Sequence, residues 1–237
     1  MDYTGKIKKT IVEYGADLVG IADVEPLRDI KTHPKSLLAP FTRAVSIAVT
    51  IPVSIFEMIS DQPTLIYTSV YQTANRILDE IAFKTSKEFQ KQGYFSLPVP
   101  ASQIVDRKNW YAAISHKAVA RMAGLGWQGK NLLLITPKYG ARIRLVTVLT
   151  NAPLEIDGPI KNRCGKCMLC ADACPSGAIK GINTKDHYKT RNQAIDLDKC
   201  AGKLANDFAQ LPGIGAPICG ICIKVCAFGR KKDLAKN

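Results

Sequence analysis

Apolar positions along the first 150 residues switch between helical and strand-like spacing. Residues 2–14 carry a helical pattern that stops at Gly15, and Leu18–Val24 follows as a short apolar strand. Ala44–Ile51 is almost continuously apolar, which suits a strand buried on both faces. From Thr64 to Lys91 the residues Ile66, Val70, Ala74, Ile77, Leu78, Ile81 and Phe89 recur at helical intervals, and Gly93 supplies the stop. Tyr94–Val99, Asn131–Thr136 and Arg142–Thr150 read as further strands, Ser115–Ala123 as a helix. Together these predict an N-terminal α/β sandwich. Asn151–Arg163, with Pro153, Gly158 and Pro159, is the expected linker, dividing the chain into domains 1–155 and 156–237.

Composition changes this picture little: 46% of the 237 residues are hydrophobic and 22% charged, the balance of an ordinary globular protein. Nothing approaches the roughly 18 consecutive apolar residues of a spanning helix, and the opening Met1-Asp2-Tyr3-Thr4-Gly5-Lys6 lacks a signal peptide's apolar core. The expectation is a cytoplasmic protein without a membrane partner. The net charge of +13 suggests acidic partners, but the basic residues are spread along the chain, with only short runs such as Arg230-Lys231-Lys232. Nucleic acid is therefore not the leading expectation.

The cysteines set the chemistry. All eight lie in the last third, at Cys164, Cys167, Cys170, Cys174, Cys200, Cys219, Cys222 and Cys226. The first four run Cys-x2-Cys-x2-Cys-x3-Cys into Pro175, the spacing with which bacterial two-cluster ferredoxins wrap a cubane. Three thiolates on one tight loop reach three irons of a cube, while the fourth points along the following helix toward the other cluster. Cys219-x2-Cys222-x3-Cys226 repeats the last three positions, with Cys200 upstream as the missing ligand. This assigns Cys164, Cys167, Cys170 and Cys226 to one 4Fe-4S cluster and Cys174, Cys200, Cys219 and Cys222 to a second. A disulfide framework needs an oxidising compartment, and paired zinc knuckles do not crowd three cysteines into seven residues. Two oxidised clusters would also offset roughly four units of the positive charge. Met168, Leu169, Ala173, Ile179, Ile218, Ile221, Ile223 and Val225 supply an apolar setting that any small core needs as well.

Other signals are weaker. Gly124-Leu125-Gly126-Trp127-Gln128-Gly129 has the dinucleotide fingerprint, but that motif needs a strand before it and a helix after it, and here the order is reversed. The glycines instead end a helix and let the backbone approach a neighbour or a cofactor closely. His33, His116 and His187 are too scattered for a histidine metal site. Between Leu97 and Trp110 a polar loop gathers Pro98, Pro100, Asp106, Arg107, Lys108 and Asn109.

The stretch Ala123-Gly124-Leu125-Gly126-Trp127-Gln128-Gly129-Lys130-Asn131, followed by a strand, by Ala152-Pro153-Leu154-Glu155, by the motif from Cys164 to Ile179 and by Asp196-Leu197-Asp198-Lys199-Cys200, resembles epoxyqueuosine reductase from about residue 10 onward. That family is similar in its core to reductive dehalogenases. The resemblance implies a nitroreductase-like first domain holding a cobalamin, reduced by two 4Fe-4S clusters in a ferredoxin-like second domain, and assigns Gly124, Gly126, Trp127, Gly129, Lys130 and Asn131 to the cobalamin. Where the family carries an acidic proton donor in a Val-Asp-Ser-Ala-Pro type segment, Pro98-Val99-Pro100-Ala101-Ser102 places Pro100, leaving Asp106 as the candidate catalytic acid. The helical-repeat extension associated with tRNA handling does not follow the cysteines. The expectation is a cobalamin-dependent oxidoreductase acting on a small-molecule or corrinoid substrate rather than on tRNA, fed by an electron donor such as ferredoxin or flavodoxin. A non-enzymatic electron carrier and a reductive activator of a separate corrinoid protein are the alternatives.

Overall fold

The computed structural model describes residues 2–230, so Lys231 and Lys232 of the basic run lie outside the described residues. The chain forms two compact units that interleave in sequence: Met1–Thr50, Thr73–Leu125 and Arg144–Ile160 make one, and Ile51–Gln72, Gly126–Ile143 and Lys161–Asn237 the other. Among the described residues no helix is long and apolar enough to cross a membrane.

The first unit is a mixed α/β structure. Its sheet takes the order β1 (Leu18–Asp23), β2 (Arg43–Thr50), β6 (Ile143–Thr150), β3 (Ser96–Val99). β1 and β2 are antiparallel, Leu18 facing Ala48 and Asp23 facing Arg43, and β3 pairs antiparallel with β6, Ser96 facing Thr150. The continuous apolar runs explain the middle of the sheet: Ala44–Val49 in β2 and Leu145–Thr150 in β6 are buried throughout. α1 (Tyr3–Glu13), capped by the Asp2 carboxylate accepting from the Gly5 N–H, packs on β1. α4 (His116–Met122), capped by Ser115, packs on β1 and β2.

α3 (Leu65–Lys91) buries Ala74, Leu78, Ile81, Ala82 and Phe89, whereas Ile66 and Ile77, which share its helical spacing, face outward. The first part of the expected linker is anchored to the first unit at a few points. Ala152 and Leu154 are buried, and the Asp157 carboxylate accepts the Ile21 N–H at 2.7 Å and pairs with Lys8 at 2.6 Å.

In the second unit α2 (Val53–Glu57) places Phe56 against Tyr67, ring centroids 5.2 Å apart. A hairpin of β4 (Trp127–Gln128) and β5 (Leu134–Ile135) pairs Trp127 with Ile135 and Gln128 with Leu134. The strand expected over Asn131–Thr136 is therefore shorter, because the chain turns before it. Leu132 sits at φ 60°, its N–H returns to the Gly129 carbonyl at 2.9 Å, and the Asn131 side chain accepts the Leu133 N–H at 3.2 Å. The remaining helices are short: α5 (Leu169–Asp172), α6 (Arg191–Ala194), α7 (Leu197–Gly202) and α8 (Ile221–Lys224). A small core of Leu132, Tyr188, Ala194 and Ile195 supports them.

His116 is a structural group of the first unit. Its Nε2 donates to the Pro100 carbonyl at 2.9 Å and its Nδ1 accepts from the Thr147 hydroxyl at 2.8 Å, an arrangement that fixes the neutral tautomer. Burial, with Arg144 nearby, lowers its pKa to about 4, against weaker opposing effects of the Pro100 carbonyl and Asp79. A group whose folded pKa is depressed gives its full stability above its unfolded value, near 6.5, and loses it as pH falls toward 4. We expect a loss on the order of 2–3 kcal/mol across that window, roughly 5–10 °C in unfolding midpoint. His116→Gln, which keeps one donor and one acceptor, should flatten this part of the profile, read by thermal unfolding from pH 7 to pH 4.

Candidate metal centre

The eight cysteines are all free thiols gathered in the second unit. Cys164, Cys167, Cys170 and Cys226 line one cavity, with Lys130, Asn131 and Ile135 on the same wall. Burial pushes the Cys170 thiol up to about 11, and the neighbouring Cys164, Cys226 and Cys167 push in the same direction. Cys219 is likewise raised to about 11 by burial, next to Cys200 and Cys174, and Cys222 is held well above its ordinary range by burial and then by Cys219, Cys170, Cys200 and Cys174. At Cys174 burial is outweighed by the Ser176 hydroxyl, 3.6 Å from its sulfur, and by backbone N–H groups, so its pKa is lowered.

Burial thus raises four of the eight thiols, Cys170, Cys219, Cys222 and Cys226, and a bound cation would supply the charge that compensates their ionisation. This fits two cubanes. A single tetrahedral zinc with bonds of about 2.3 Å would draw its sulfurs to about 3.8 Å from one another. Among the described residues no three His, Cys, Asp or Glu side chains converge as ligands of one ion, whereas a cubane spreads four thiolates over four irons.

The glycine-tryptophan loop is committed to these cysteines. Trp127, fully buried, donates its indole N–H to Cys164 Sγ at 3.3 Å and stacks edge-on against Phe228 with centroids 4.8 Å apart. The Lys130 ammonium donates to the Cys167 carbonyl at 2.9 Å, and the Asn131 amide reaches the Cys222 carbonyl at 3.5 Å. Its glycines face protein. A Cβ on Gly126 would lie 2.2 Å from the Ile135 carbonyl oxygen, one on Gly129 2.6 Å from the Ile135 side chain, and one on Gly124 2.6 Å from the Gly158 carbonyl oxygen. The contacts of these six residues, which the resemblance assigns to the corrinoid, are thus made to protein groups. The close approach allowed by the missing side chains is to Ile135 and Gly158.

Asp106 also differs from its expected role. Its carboxylate accepts the Asn109 backbone N–H at 3.0 Å and the Asn109 side-chain amide at 2.9 Å, and Lys31 stands 3.4 Å away. These partners, Asn109 first, lower its pKa to about 2. Its carboxylate closes a turn on Asn109, and its backbone forms an antiparallel bridge to Tyr111.

Sequence reasoning passed over Arg142, which is buried and donates to the Lys224 and Phe228 carbonyls at 2.8 Å each, bracing the chain on either side of Cys226. It also passed over Asn162, whose side chain accepts the Cys164 N–H at 2.8 Å and donates to the Gln128 carbonyl at 3.2 Å. The only cue was a charged residue opening an apolar strand. Of the apolar residues near the ligands, Ile218 and Ile221 are buried, but Met168 and Leu169 are exposed and shield little.

Residues 163–229 match the family model described as a 4Fe-4S double cluster binding domain, so the cysteine-bearing stretch is a two-cluster iron–sulfur domain. The chain resembles the epoxyqueuosine reductases. It is 37% identical over 120 residues to epoxyqueuosine reductase of Bacillus subtilis, covering 51% of this chain and 30% of that protein. With the Vibrio cholerae epoxyqueuosine reductase it shares 27% identity over 273 aligned positions, covering all of this chain and 70% of the relative. A solved reductive dehalogenase, whose structure is described as suggesting a mechanism for B12-dependent dehalogenation, superposes with a TM-score of 0.76 at 25% identity over 95% of this chain and 31% of that one. The chain spans about 30% of the length of the first curated relatives it matches.

Gly126→Ala should force the hairpin open and cost about 2 kcal/mol or more, read in denaturant unfolding of the reconstituted protein together with its iron content. Gly202→Ala, inside α7 with only the Asn206 amide at 3.9 Å from the new Cβ, should leave both unchanged or stabilise slightly.

Proposed function

We propose that the chain is an iron–sulfur reductase in which two 4Fe-4S clusters deliver electrons one at a time to a corrinoid. The observation that carries this reading is the gathering of the cysteines into one group around Cys170 and another around Cys219, together with the likeness to epoxyqueuosine reductases and a B12-dependent dehalogenase. In it Cys164, Cys167, Cys170 and Cys226 hold one cluster and Cys174, Cys200, Cys219 and Cys222 the other.

The chain's own residues bind and orient the clusters. Trp127 and Lys130 hold the Cys164–Cys167 loop, Arg142 holds the Cys226 loop, and Ser176 supports Cys174. What a bound corrinoid supplies is a reactive metal for the harder bond chemistry. Its holding residues are to be sought outside the glycine-tryptophan loop, in the first unit, for which we propose a nitroreductase-like architecture. Asp106 is not the proton donor of this reading. The relatives' name makes an epoxyqueuosine-bearing tRNA the first substrate to assay, beside small organic electrophiles, with ferredoxin or flavodoxin as donor. The hydrogen bonds of Trp127, Lys130 and Asn131 to the cysteine loops favour a second reading, an electron carrier or activator for a separate corrinoid protein.

Anaerobic reconstitution, incubation with cobalamin and removal of the excess should give about eight irons and about one cobalt per chain. Eight irons without cobalt would turn the assignment to the carrier reading. Cys226→Ala should reduce the iron to about four per chain, since it removes a ligand from one cluster only. Unchanged iron would break the crossed ligand assignment.

A further inference from the structure

Lys130 is buried deeply, at 4% exposure. Its ammonium donates to the Cys167 carbonyl and lies 3.6 Å from Met168 Sδ, and among the described residues it pairs with no carboxylate. A cation withdrawn from water at this depth calls for an anion nearby. The anion this architecture offers is the cluster whose cavity Lys130 lines with Cys164, Cys167, Cys170 and Cys226. On the same hairpin Trp127 aims its N–H at Cys164 Sγ, and the Arg142 guanidinium donates to the Lys224 and Phe228 carbonyls on either side of Cys226.

The second group is served differently. Lys203, the lysine of the π-helix that follows α7 and its Cys200, is about a third exposed and is tied to Asp207 at 2.7 Å, so much of its charge is spent elsewhere. Cys167 is the exposed ligand of the first group, while Cys219 and Cys222 are only partly accessible.

We propose that Lys130, assisted by the Trp127 N–H, makes the cluster of Cys164, Cys167, Cys170 and Cys226 the more easily reduced of the two, so that an electron entering either cluster comes to rest there. The inference rests on the ligand groups of the proposed function. Each reduction adds one electron from an external reductant, breaks no bond, and takes the thiolate-bound cluster from about two net negative charges to about three. A buried cation and an N–H donor at the sulfur stabilise the more negative product more than the reactant, and solvent at Cys167 acts in the same direction. Lys130 and Trp127 are positioning residues here, since neither ligates iron.

The test is a stepwise anaerobic titration of the reconstituted full chain with dithionite and mediators, followed by electron paramagnetic resonance, which reads two midpoints. In Lys130→Met with iron retained, the higher midpoint should move to a more negative potential and the lower one should move less. Trp127→Phe should move the same midpoint by less, and Lys130→Arg, which keeps the charge, should restore part of the shift. Should Lys130→Met lose iron, Lys130→Gln and Trp127→Phe carry the same comparison. Unmoved midpoints at full iron content, or a shift confined to the lower midpoint, overturn the inference and leave the proposed function standing. Wild-type protein that holds only about four irons overturns the two-cluster reading and this inference together.

Discussion

Eight thiols drawn into two groups within one small unit concentrate negative charge as soon as they ionise, and the rest of that unit is arranged around this constraint. Burial alone would keep Cys170, Cys219 and Cys222 protonated, so the iron supplies most of the compensation and the protein the remainder. Its share comes from Lys130, Arg142, the indole N–H of Trp127 and the amides around Cys174. None of the three side chains comes from the cysteine segment. Trp127 and Lys130 reach Cys164 and Cys167 from a hairpin 37 residues earlier in the sequence, and Arg142 reaches Phe228 across 86. Segment 126–143 is thus part of the iron–sulfur unit although it precedes the first cysteine.

That separation decides what the sequence could reveal. Cluster ligands are spaced by local geometry, because three thiolates on one loop must reach three irons, so Cys164, Cys167 and Cys170 declare themselves. The sheet is legible for a similar reason: burial on both faces demands the continuous apolar runs of Ala44–Val49 and Leu145–Leu149. A glycine-rich loop carries no record of what it approaches. Gly126 permits contact with any backbone, and only the fold reveals that the contact is with Ile135. The resemblance supplied a cofactor for that loop, where the geometry supplies cysteine loops. At Asp106 the surroundings are local, an Asn109 three residues away that closes a turn on the carboxylate, which composition does not distinguish from a free one.

The two groups of thiols do not act independently. Cys170 belongs with Cys164, Cys167 and Cys226, yet it also raises the Cys222 thiol of the other group. Charge added on one side is therefore felt on the other. In a unit of this construction the first electron makes the second harder to add, because each reduction deposits about one more negative charge beside a neighbour that already carries about two. Under the crossed ligand assignment we propose, this coupling is stronger, since the fourth thiolate of each cubane comes from the chain segment that wraps the other. Cations set on one side, as Lys130 and Arg142 are, do not remove the repulsion. They decide where a single electron resides, so the doubly reduced state is reached only when a strong donor acts, and otherwise the second electron enters after the first has left for an acceptor.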